Sequence, residues 1–208
     1  MYQALHELTS KMKRYSFSEL EKVKNVKNGI YLLFEEGEKY HEFDRIVRVG
    51  SHPSQDRFYK RLMDHFNNNH RKSIVRKHIG RCFLQKENDP YIHIWDYTNS
   101  EVVKGSPGEI QVNKAKENEL ENRISKYMNK FSICVIPNLN NTEIRMNLEM
   151  KLIATLNLSS NEFISSNWLG KYHPDQKIST SGLWNIQHLN AEEFISEEDF
   201  QLIKNKVG

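Results

Sequence analysis

The feature that most constrains the fold is a turn signal followed by a run of strand-forming residues near the start of the chain. Asn28-Gly29 favours a turn, and Ile30-Tyr31-Leu32-Leu33-Phe34 is rich in residues that favour β-strands. A second apolar run, Ile46-Val47-Arg48-Val49-Gly50, follows a charged segment that extends from Glu35 to Arg45. The two runs predict a β-hairpin with a long connection, in which Tyr31 lies near the start of the first strand.

The segment after this hairpin, Gln55 to Asn69, has the pattern of an amphipathic helix. Apolar residues recur at every fourth position, and a basic row with the same spacing flanks them. The apolar row is Phe58, Leu62 and Phe66, and the basic row is Arg57, Arg61 and His65. The forked guanidinium groups of the two arginines suit the oxygens of a phosphate. For such a helix taken alone, a solvated basic face is the alternative interpretation.

A third strand and a second helix are predicted downstream. Phe131 to Pro137 indicates a short strand closed by proline, and the apolar spacing from Thr142 to Leu156 indicates a helix. Glu149 lies at the border of the buried face of this helix. A carboxylate in that position suits Mg²⁺, which keeps most of its waters and accepts few protein carboxylates. The alternative for a single helical glutamate is an exposed charge.

Taken in order, these motifs resemble those of the GIY-YIG nuclease family. Gly29-Ile30-Tyr31 and Val49-Gly50 match its two namesake motifs, and the spacing from Glu149 to Leu152-Ile153 is similar to its metal-binding helix. The second motif departs from the family name, because Arg48 stands where that name has a tyrosine. The role of the tyrosine is therefore not transferred to Arg48.

The resemblance implies an α/β fold with a small, mainly antiparallel three-stranded sheet that is flanked by helices and carries helical extensions. It also implies a metal-dependent DNA endonuclease that leaves 5′-phosphate and 3′-hydroxyl ends. In this interpretation Tyr31 acts as general base or orients the water, and Arg61 neutralises charge on the phosphate. His65 holds or relays a proton, and Glu149 binds Mg²⁺ or Mn²⁺. We further expect the guanidinium of Arg48 to favour the phenolate form of Tyr31.

Two tryptophan-containing segments near the end of the chain also resemble a bacterial subgroup of this family. Trp168 and Trp184 are expected to be core anchors, because an indole ring buries a large area. Family nucleases often place an asparagine after the glutamate helix, and Asn167 is the candidate here, with Asn161 as the second choice. The amides of Asn185 and Gln187 have the chemistry to recognise an adenine edge.

The distribution of charge favours a nucleic-acid partner more than the total does. The chain has 30 Lys and Arg against 27 Asp and Glu, a net charge of only +3. Basic residues concentrate between Arg57 and Arg81, as backbone binding to DNA requires. The predicted DNA-binding residues are Arg57, Lys60, Arg76, Lys77 and Arg81.

The chain is expected to form a single nuclease domain over residues 1–208 with three additions. These are an N-terminal helical extension over 1–25, an insertion over 86–130 and a C-terminal extension over 171–208. Within them we predict a strand from Tyr91 to Tyr97, a loop from Asn99 to Asn113, and helices from Lys114 to Asn129 and from Ala191 to Lys204.

The remaining features bear on compartment and on competing functions. Cys82 and Cys134 lack metal-ligand spacing and are expected to be reduced, partly buried thiols. The start of the chain lacks a signal-peptide core, and we expect a cytoplasmic protein, with a homodimer as a possible assembly. Two alternatives stay open: a catalytically impaired nucleic-acid-binding module on the same scaffold, and an interaction protein that recruits a partner.

Overall fold

A four-stranded antiparallel sheet forms the centre of the molecule in the computed structural model, which describes residues 1–67, 69–96 and 113–207. The strands are β1 (Tyr15–Ser16), β2 (Gly29–Tyr40), β3 (Phe43–Gly50) and β4 (Phe131–Pro137), arranged in the order β1-β4-β2-β3. The helices are α1 (Tyr2–Lys11), α2 (Phe58–Phe66), α3 (Ile74–Lys86), α4 (Lys114–Met128), α5 (Thr142–Asn157), α6 (Gln176–Ser181) and α7 (Glu197–Val207). Some of these strands and helices are connected by short 3-10 helices, which are Phe17–Val23, Pro90–His93, Ser160–Phe163 and Leu169–Tyr172.

The register of the β2–β3 hairpin decides which side chains share a face. Tyr31 pairs with Gly50 and Leu33 pairs with Arg48, so Tyr31 and Arg48 lie on the same face of the sheet. The next pair is Phe34 with Ile46, which leaves Val47 as an extra residue in a bulge. The hairpin therefore presents a phenol and a guanidinium side by side.

Each face of the sheet covers its own hydrophobic core. On the Tyr31 face, α2, α3 and α4 pack together with Trp168 and Trp184. On the opposite face, where Ile30, Leu32 and Phe34 point, α1, α5 and α7 are packed. Alternate residues of β2 thus point to different cores, as strand geometry requires.

A buried carboxylate ties the two tryptophans to the sheet. Glu35 on β2 accepts hydrogen bonds from the indole nitrogens of Trp168, at 3.1 Å, and Trp184, at 2.9 Å, and from the hydroxyl of Tyr127. Burial raises the pKa of the Glu35 carboxyl above its usual value. The expectation that both tryptophans are core anchors is confirmed, since both are buried.

A buried ion pair fastens the same C-terminal segment to the hairpin. Arg45 and Glu38 are almost fully buried and lie 2.5 Å apart. Arg45 also donates to the carbonyl of Gly182 at 2.6 Å, and Glu38 accepts from the hydroxyl and the backbone amide of Ser165. The hairpin and residues 165–182 are therefore held by charge-assisted hydrogen bonds as well as by packing.

The predicted α/β class and the antiparallel sheet are confirmed, with corrections to single elements. The sheet has a fourth strand, the two-residue β1, and the strand predicted from Tyr91 to Tyr97 is wrong. Pro90–His93 is a 3-10 helix there, and buried Trp95 packs on α3, where a Cβ on Gly80 would lie 2.5 Å from the indole. The last helix begins at Glu197, six residues after the predicted start at Ala191. The predicted loop Asn99 to Asn113 falls almost wholly outside the described residues.

The two thiols and the lengths of the helices complete the description of the fold. Cys82 and Cys134 are free and buried, as predicted, and burial raises the pKa of Cys134 to about 11. The described helices include none that is both long and apolar enough to cross a membrane. The division of the chain into a nuclease unit and three additions stays a prediction.

The hairpin offers a test of the buried ion pair, because it also carries an exposed one. Replacing Arg45 by Met leaves Glu38 as a buried, unpaired charge, and we expect a loss of about 3–5 kcal/mol in the free energy of unfolding. Replacing Lys39 by Met removes the exposed pair with Asp44, 2.5 Å apart, and should cost less than about 1 kcal/mol. Urea unfolding of both variants measures the two values, and equal losses would contradict this assignment.

Candidate active site

An open cleft of about 570 Å³ lies at the end of the hairpin where β2 begins and β3 finishes. Its walls come from the sheet, from α2, α3 and α5, and from the segment Asn185 to His188. Most of its polar groups belong to residues that are far apart in sequence. The lining includes Tyr31, Arg48, Gly50, Ser51, Arg61, His78, Met146, Glu149, Asn185, Gln187 and His188.

The position of Tyr31 depends on the glycine opposite it. Gly50 is the strand partner of Tyr31, and a Cβ at Gly50 would lie 2.3 Å from the Tyr31 hydroxyl oxygen. No side chain fits there without displacing the phenol. The glycine that ends the second motif is therefore required to seat the tyrosine of the first.

Tyr31 begins a chain of hydrogen bonds that crosses two helices. Its hydroxyl lies 2.7 Å from Nε2 of His65 on α2, and Nδ1 of His65 lies 2.6 Å from Oγ of Ser73. Ser73 is the N-cap of α3, where its hydroxyl also accepts from the backbone amide of Arg76. These hydrogen bonds fix the orientation of the Tyr31 hydroxyl and of the His65 ring.

His65 is neutral in this environment. Burial, followed by the positive charges of Arg61, Arg48 and Arg76, holds the pKa of His65 well below its usual value. A neutral imidazole carries one proton on one nitrogen and accepts at the other. His65 can therefore accept the proton of Tyr31 at Nε2 while it donates from Nδ1 to Ser73.

Glu149 lines the cleft from α5. Its carboxylate is half-buried and accepts a hydrogen bond from the hydroxyl of Ser51, the residue that follows β3. Arg145, one turn earlier on α5, is buried and donates to the carbonyls of His52, Pro53 and Leu139. These bonds lock α5 to the end of β3 and so hold Glu149 at the cleft.

Two arginines bring positive charge to the same space. Arg61 is half-buried on α2, and its Nη1 donates to the carbonyl of Lys72 at 3.2 Å. Arg48 is buried on β3, and its Nη1 donates to the carbonyl of Trp184. Within the described residues, neither guanidinium forms a salt bridge with a carboxylate. Both retain unused donors toward a ligand in the cleft.

The segment from Gly182 to His188 completes the cleft by pairing with the edge strand β3. The backbone amide of Trp184 donates to the Val47 carbonyl at 2.7 Å. The side-chain carboxamide of Asn185 donates to the Val49 carbonyl at 2.9 Å and accepts from the Val49 backbone amide at 3.1 Å. Edge strands need such cover, because their backbone groups are otherwise open to another chain. The pairing places Asn185, Gln187 and His188 on the cleft.

The structure brings the predicted Tyr31, Arg48, Arg61, His65 and Glu149 together, but it places Asn167 elsewhere. Asn167 and Asn161 are exposed and do not line the cleft, and the role expected for Asn167 stays a prediction. The asparagine that does line the cleft is Asn185, and its amide is already bound to Val49. The sequence analysis names Asn185 only as an amide able to recognise a base, and no local pattern reports its pairing with Val49, 136 residues away.

The predicted DNA-binding residues divide into exposed and buried groups. Arg57 at the N-cap of α2 and Lys60 on α2 are exposed, and Lys77 is half-exposed on α3. Arg81 is paired with Asp96, although a quarter of its side chain stays exposed. Arg76 is buried and bound to Glu121, Ser125 and the carbonyl of His65. The expectation that Arg76 contacts DNA is therefore wrong, because the side chain has no route to a phosphate.

The cleft suits a metal ion that needs few protein ligands. The described residues contain no group of three or more His, Cys, Asp or Glu that would hold a metal by themselves. Oε2 of Glu149 accepts a hydrogen bond from the Ser51 hydroxyl. The other carboxylate oxygen has no hydrogen-bond partner among the described residues. Mg²⁺ fits such a site, because it binds through one or two carboxylates and keeps several waters.

The match to known families agrees with this geometry. A family model described as GIY-YIG domain matches residues 1–207, and the chain therefore belongs to the GIY-YIG domain family. This family generally comprises endonucleases that depend on a divalent metal ion. Comparison with curated proteins and with solved structures gave no match.

Because several histidines are buried, we expect the free energy of unfolding to decrease in mild acid. Burial lowers the pKa of His6 from 6.5 to about 4 and that of His173 to about 4, and it holds the pKa of His65 and His78 lower still. The folded state therefore binds fewer protons than the unfolded state, and stability is complete above pH 6.5 and falls below it. We expect His6 to contribute about 3 kcal/mol of this loss by pH 4.

Urea unfolding at about pH 7.5 and about pH 5 measures the effect, since most carboxylates titrate below that window. The raised pKa of Glu35 has the opposite effect, because it stabilises the folded state as the pH falls. Glu35 is a single group, whereas the four histidines act in the other direction. His6→Gln should reduce the pH dependence, whereas His93→Gln, at an exposed position, should leave it unchanged. Stability that stays constant or rises in acid would contradict the assignment of neutral buried histidines.

Proposed function

We propose that this protein is a metal-dependent DNA endonuclease that hydrolyses phosphodiester bonds to 5′-phosphate and 3′-hydroxyl ends. The observation that carries the proposal is the convergence of Tyr31, Arg61 and Glu149 on one cleft, with His65 hydrogen-bonded to Tyr31 from behind it. A proton acceptor, cationic groups and a carboxylate lie around a single open space. The product ends follow from the family resemblance.

Tyr31 is the group that receives a proton from the attacking water. Because His65 accepts the hydroxyl proton of Tyr31 at Nε2, the lone pairs of the phenol oxygen are left for the water. As the water loses its proton to Tyr31, the Tyr31 proton passes to His65, which becomes an imidazolium. The resulting hydroxide attacks phosphorus, the bond to the 3′ oxygen breaks, and the leaving oxygen takes a proton from solvent water to become the 3′ hydroxyl.

DNA bound in the cleft favours the transfer of the Tyr31 proton to His65. In the free protein the charges of Arg61 and Arg48 oppose protonation of His65. A phosphodiester in the cleft brings a negative charge that offsets these arginines and raises the pKa of His65. The base is therefore weak until substrate arrives, which links proton transfer to binding.

Arg61 stabilises charge on the phosphate, and Glu149 holds the metal. The forked guanidinium of Arg61 lies at the cleft with donors to spare, so it binds the non-bridging oxygens as their charge grows. Glu149, with Ser51 beside it, would hold Mg²⁺ or Mn²⁺. When bound, such an ion supplies a Lewis acid that stabilises the leaving oxygen. The expectation that Arg48 favours the phenolate form of Tyr31 stays a prediction.

DNA is the partner that the charge distribution supports. Arg57, Lys60 and Lys77 are accessible on the two helices that flank the cleft, and each has the chemistry to contact a backbone phosphate. These contacts do not read sequence. They position the duplex and make its binding sensitive to salt.

A plasmid assay with matched glutamate variants tests the function. Incubation of supercoiled plasmid with Mg²⁺ should give nicked or linear DNA, and EDTA should prevent it. Glu149→Gln should lower the rate by at least about a hundredfold while DNA binding in EDTA is kept, because one metal-binding and charge-stabilising group is lost. Glu143→Gln, at an exposed position in the first turn of the same helix, is the control and should cleave normally. A fully active Glu149→Gln variant would remove the metal assignment.

A second pair of variants tests the proton path from Tyr31 to His65. Tyr31→Phe keeps the ring but removes the hydroxyl, and we expect a fall in kcat of about 10²–10⁴-fold with DNA affinity in EDTA unchanged. Tyr59→Phe on α2 loses only a surface hydrogen bond to Glu21 and should retain full activity. Equal rates for the Tyr31 variant and wild type would show that another group receives the proton.

A further inference from the structure

His78 is a buried imidazole in the cleft that the proposed proton path does not use. It lies on α3, is 1 % exposed, and lines the cleft together with Arg48. Its surroundings decide which ring nitrogen carries the proton. That assignment determines what the residue can bind.

The donors around Nδ1 of His78 leave no place for a proton on that nitrogen. Nη1 of Arg81 lies 3.4 Å from it, and an arginine can only donate. Nε2 of His173 lies 3.0 Å from the same nitrogen, so this atom of His173 carries a proton and donates. Nδ1 of His173 then accepts from the backbone amide of Asp175 at 3.0 Å, which is shorter than its 3.3 Å separation from the Asp175 carbonyl oxygen. The whole arrangement is consistent with one direction of donation, from Asp175 to His173 to His78.

The proton of His78 therefore lies on Nε2. Burial, followed by His173, Arg48, Arg81 and Lys77, lowers the pKa of His78 from 6.5 to about 2, so the ring is neutral and has a single proton. Because Nδ1 accepts, Nε2 must donate. The hydrogen bonds of His78 to the described residues all involve Nδ1, and the ring lines the cleft, so a ligand there can accept from Nε2.

Arg48 has unused hydrogen-bond donors and lines the same cleft. It is buried in the same cleft, and Nη1 donates to the Trp184 carbonyl, but Nε is buried without a partner in the part of the chain that the structure describes. Arg48 and His78 are both buried and both line this cleft, so a cation and a neutral donor are available to one ligand bound there.

We propose that Arg48 and His78 form a subsite for a backbone phosphate of DNA, separate from the phosphate contact of Arg61. The guanidinium supplies the charge, and the imidazole donates a hydrogen bond from Nε2 to a non-bridging oxygen. This subsite rests on the proposed function, since it places a second phosphate in the same cleft. Arg81 and His173 are positioning residues, because they act only by fixing the tautomer of His78.

Salt dependence of DNA binding separates the two members of the subsite. Binding of a labelled duplex is measured in EDTA at several salt concentrations, so that cleavage does not interfere. Arg48→Gln should reduce the slope of log affinity against log salt by about 0.9, because one phosphate contact no longer releases a counterion. His78→Leu should weaken binding about tenfold with an unchanged slope, since the imidazole is neutral. His78→Gln keeps a donor and should recover part of that loss.

His93→Leu is the matched control, because His93 is an exposed histidine that does not line the cleft. It should bind DNA as the wild type does. If the wild type binds and cleaves DNA while His78→Leu behaves like the control, the subsite is wrong and the nuclease proposal stands. If the wild type neither binds nor cleaves DNA, the nuclease proposal fails instead.

A measurement on the wild-type protein keeps the subsite testable in either case. Long-range ¹H–¹⁵N NMR spectra of the histidine rings distinguish the two neutral tautomers, and inorganic phosphate serves as the probe. We expect His78 to be protonated at Nε2 and its ring signals to move as phosphate is added, with His93 as the internal reference. A proton on Nδ1, or signals that do not respond to phosphate, would overturn the proposal.

Discussion

The pairing of Tyr31 with Gly50 is the contact on which the whole site depends. The phenol occupies the volume that a side chain at residue 50 would fill, and this seat directs its hydroxyl to His65. The same register puts Arg48 beside Tyr31, and it ends β3 where Ser51 reaches Glu149. One strand alignment therefore sets the positions of the phenol, the guanidinium and the carboxylate.

Buried polar contacts then complete the cleft from distant parts of the chain. Glu35 binds two indoles and Glu38 binds Arg45, and together they fasten residues 165–184 to the hairpin. Only with that segment in place can Asn185 cover the edge of β3 and bring Gln187 to the cleft. Such contacts are costly to bury unless they are satisfied, so they specify one arrangement rather than many.

The sequence predicted the parts of the site that depend on local pattern, and it failed where a partner lies far along the chain. Strand pattern places Tyr31 and Gly50 on a hairpin and helical spacing places Arg61 and Glu149 on helices, whereas their convergence on one site is what the resemblance to the GIY-YIG family implies. Arg76 was assigned to DNA because its neighbours are basic, yet its partner Glu121 is 45 residues away on α4. Likewise, His78 meets His173 across 95 residues, and no periodicity reports such a pair.

A crystal structure of the protein with a short DNA duplex and Mn²⁺ would show whether DNA and metal bind together in the cleft, because the ion is located by its anomalous scattering. We expect one ion bound to the carboxylate of Glu149, with a backbone phosphate between it, Arg61 and the hydroxyl of Tyr31. DNA bound on another face, or an ion held by other residues while Glu149 stays bound only to Ser51, would contradict this expectation.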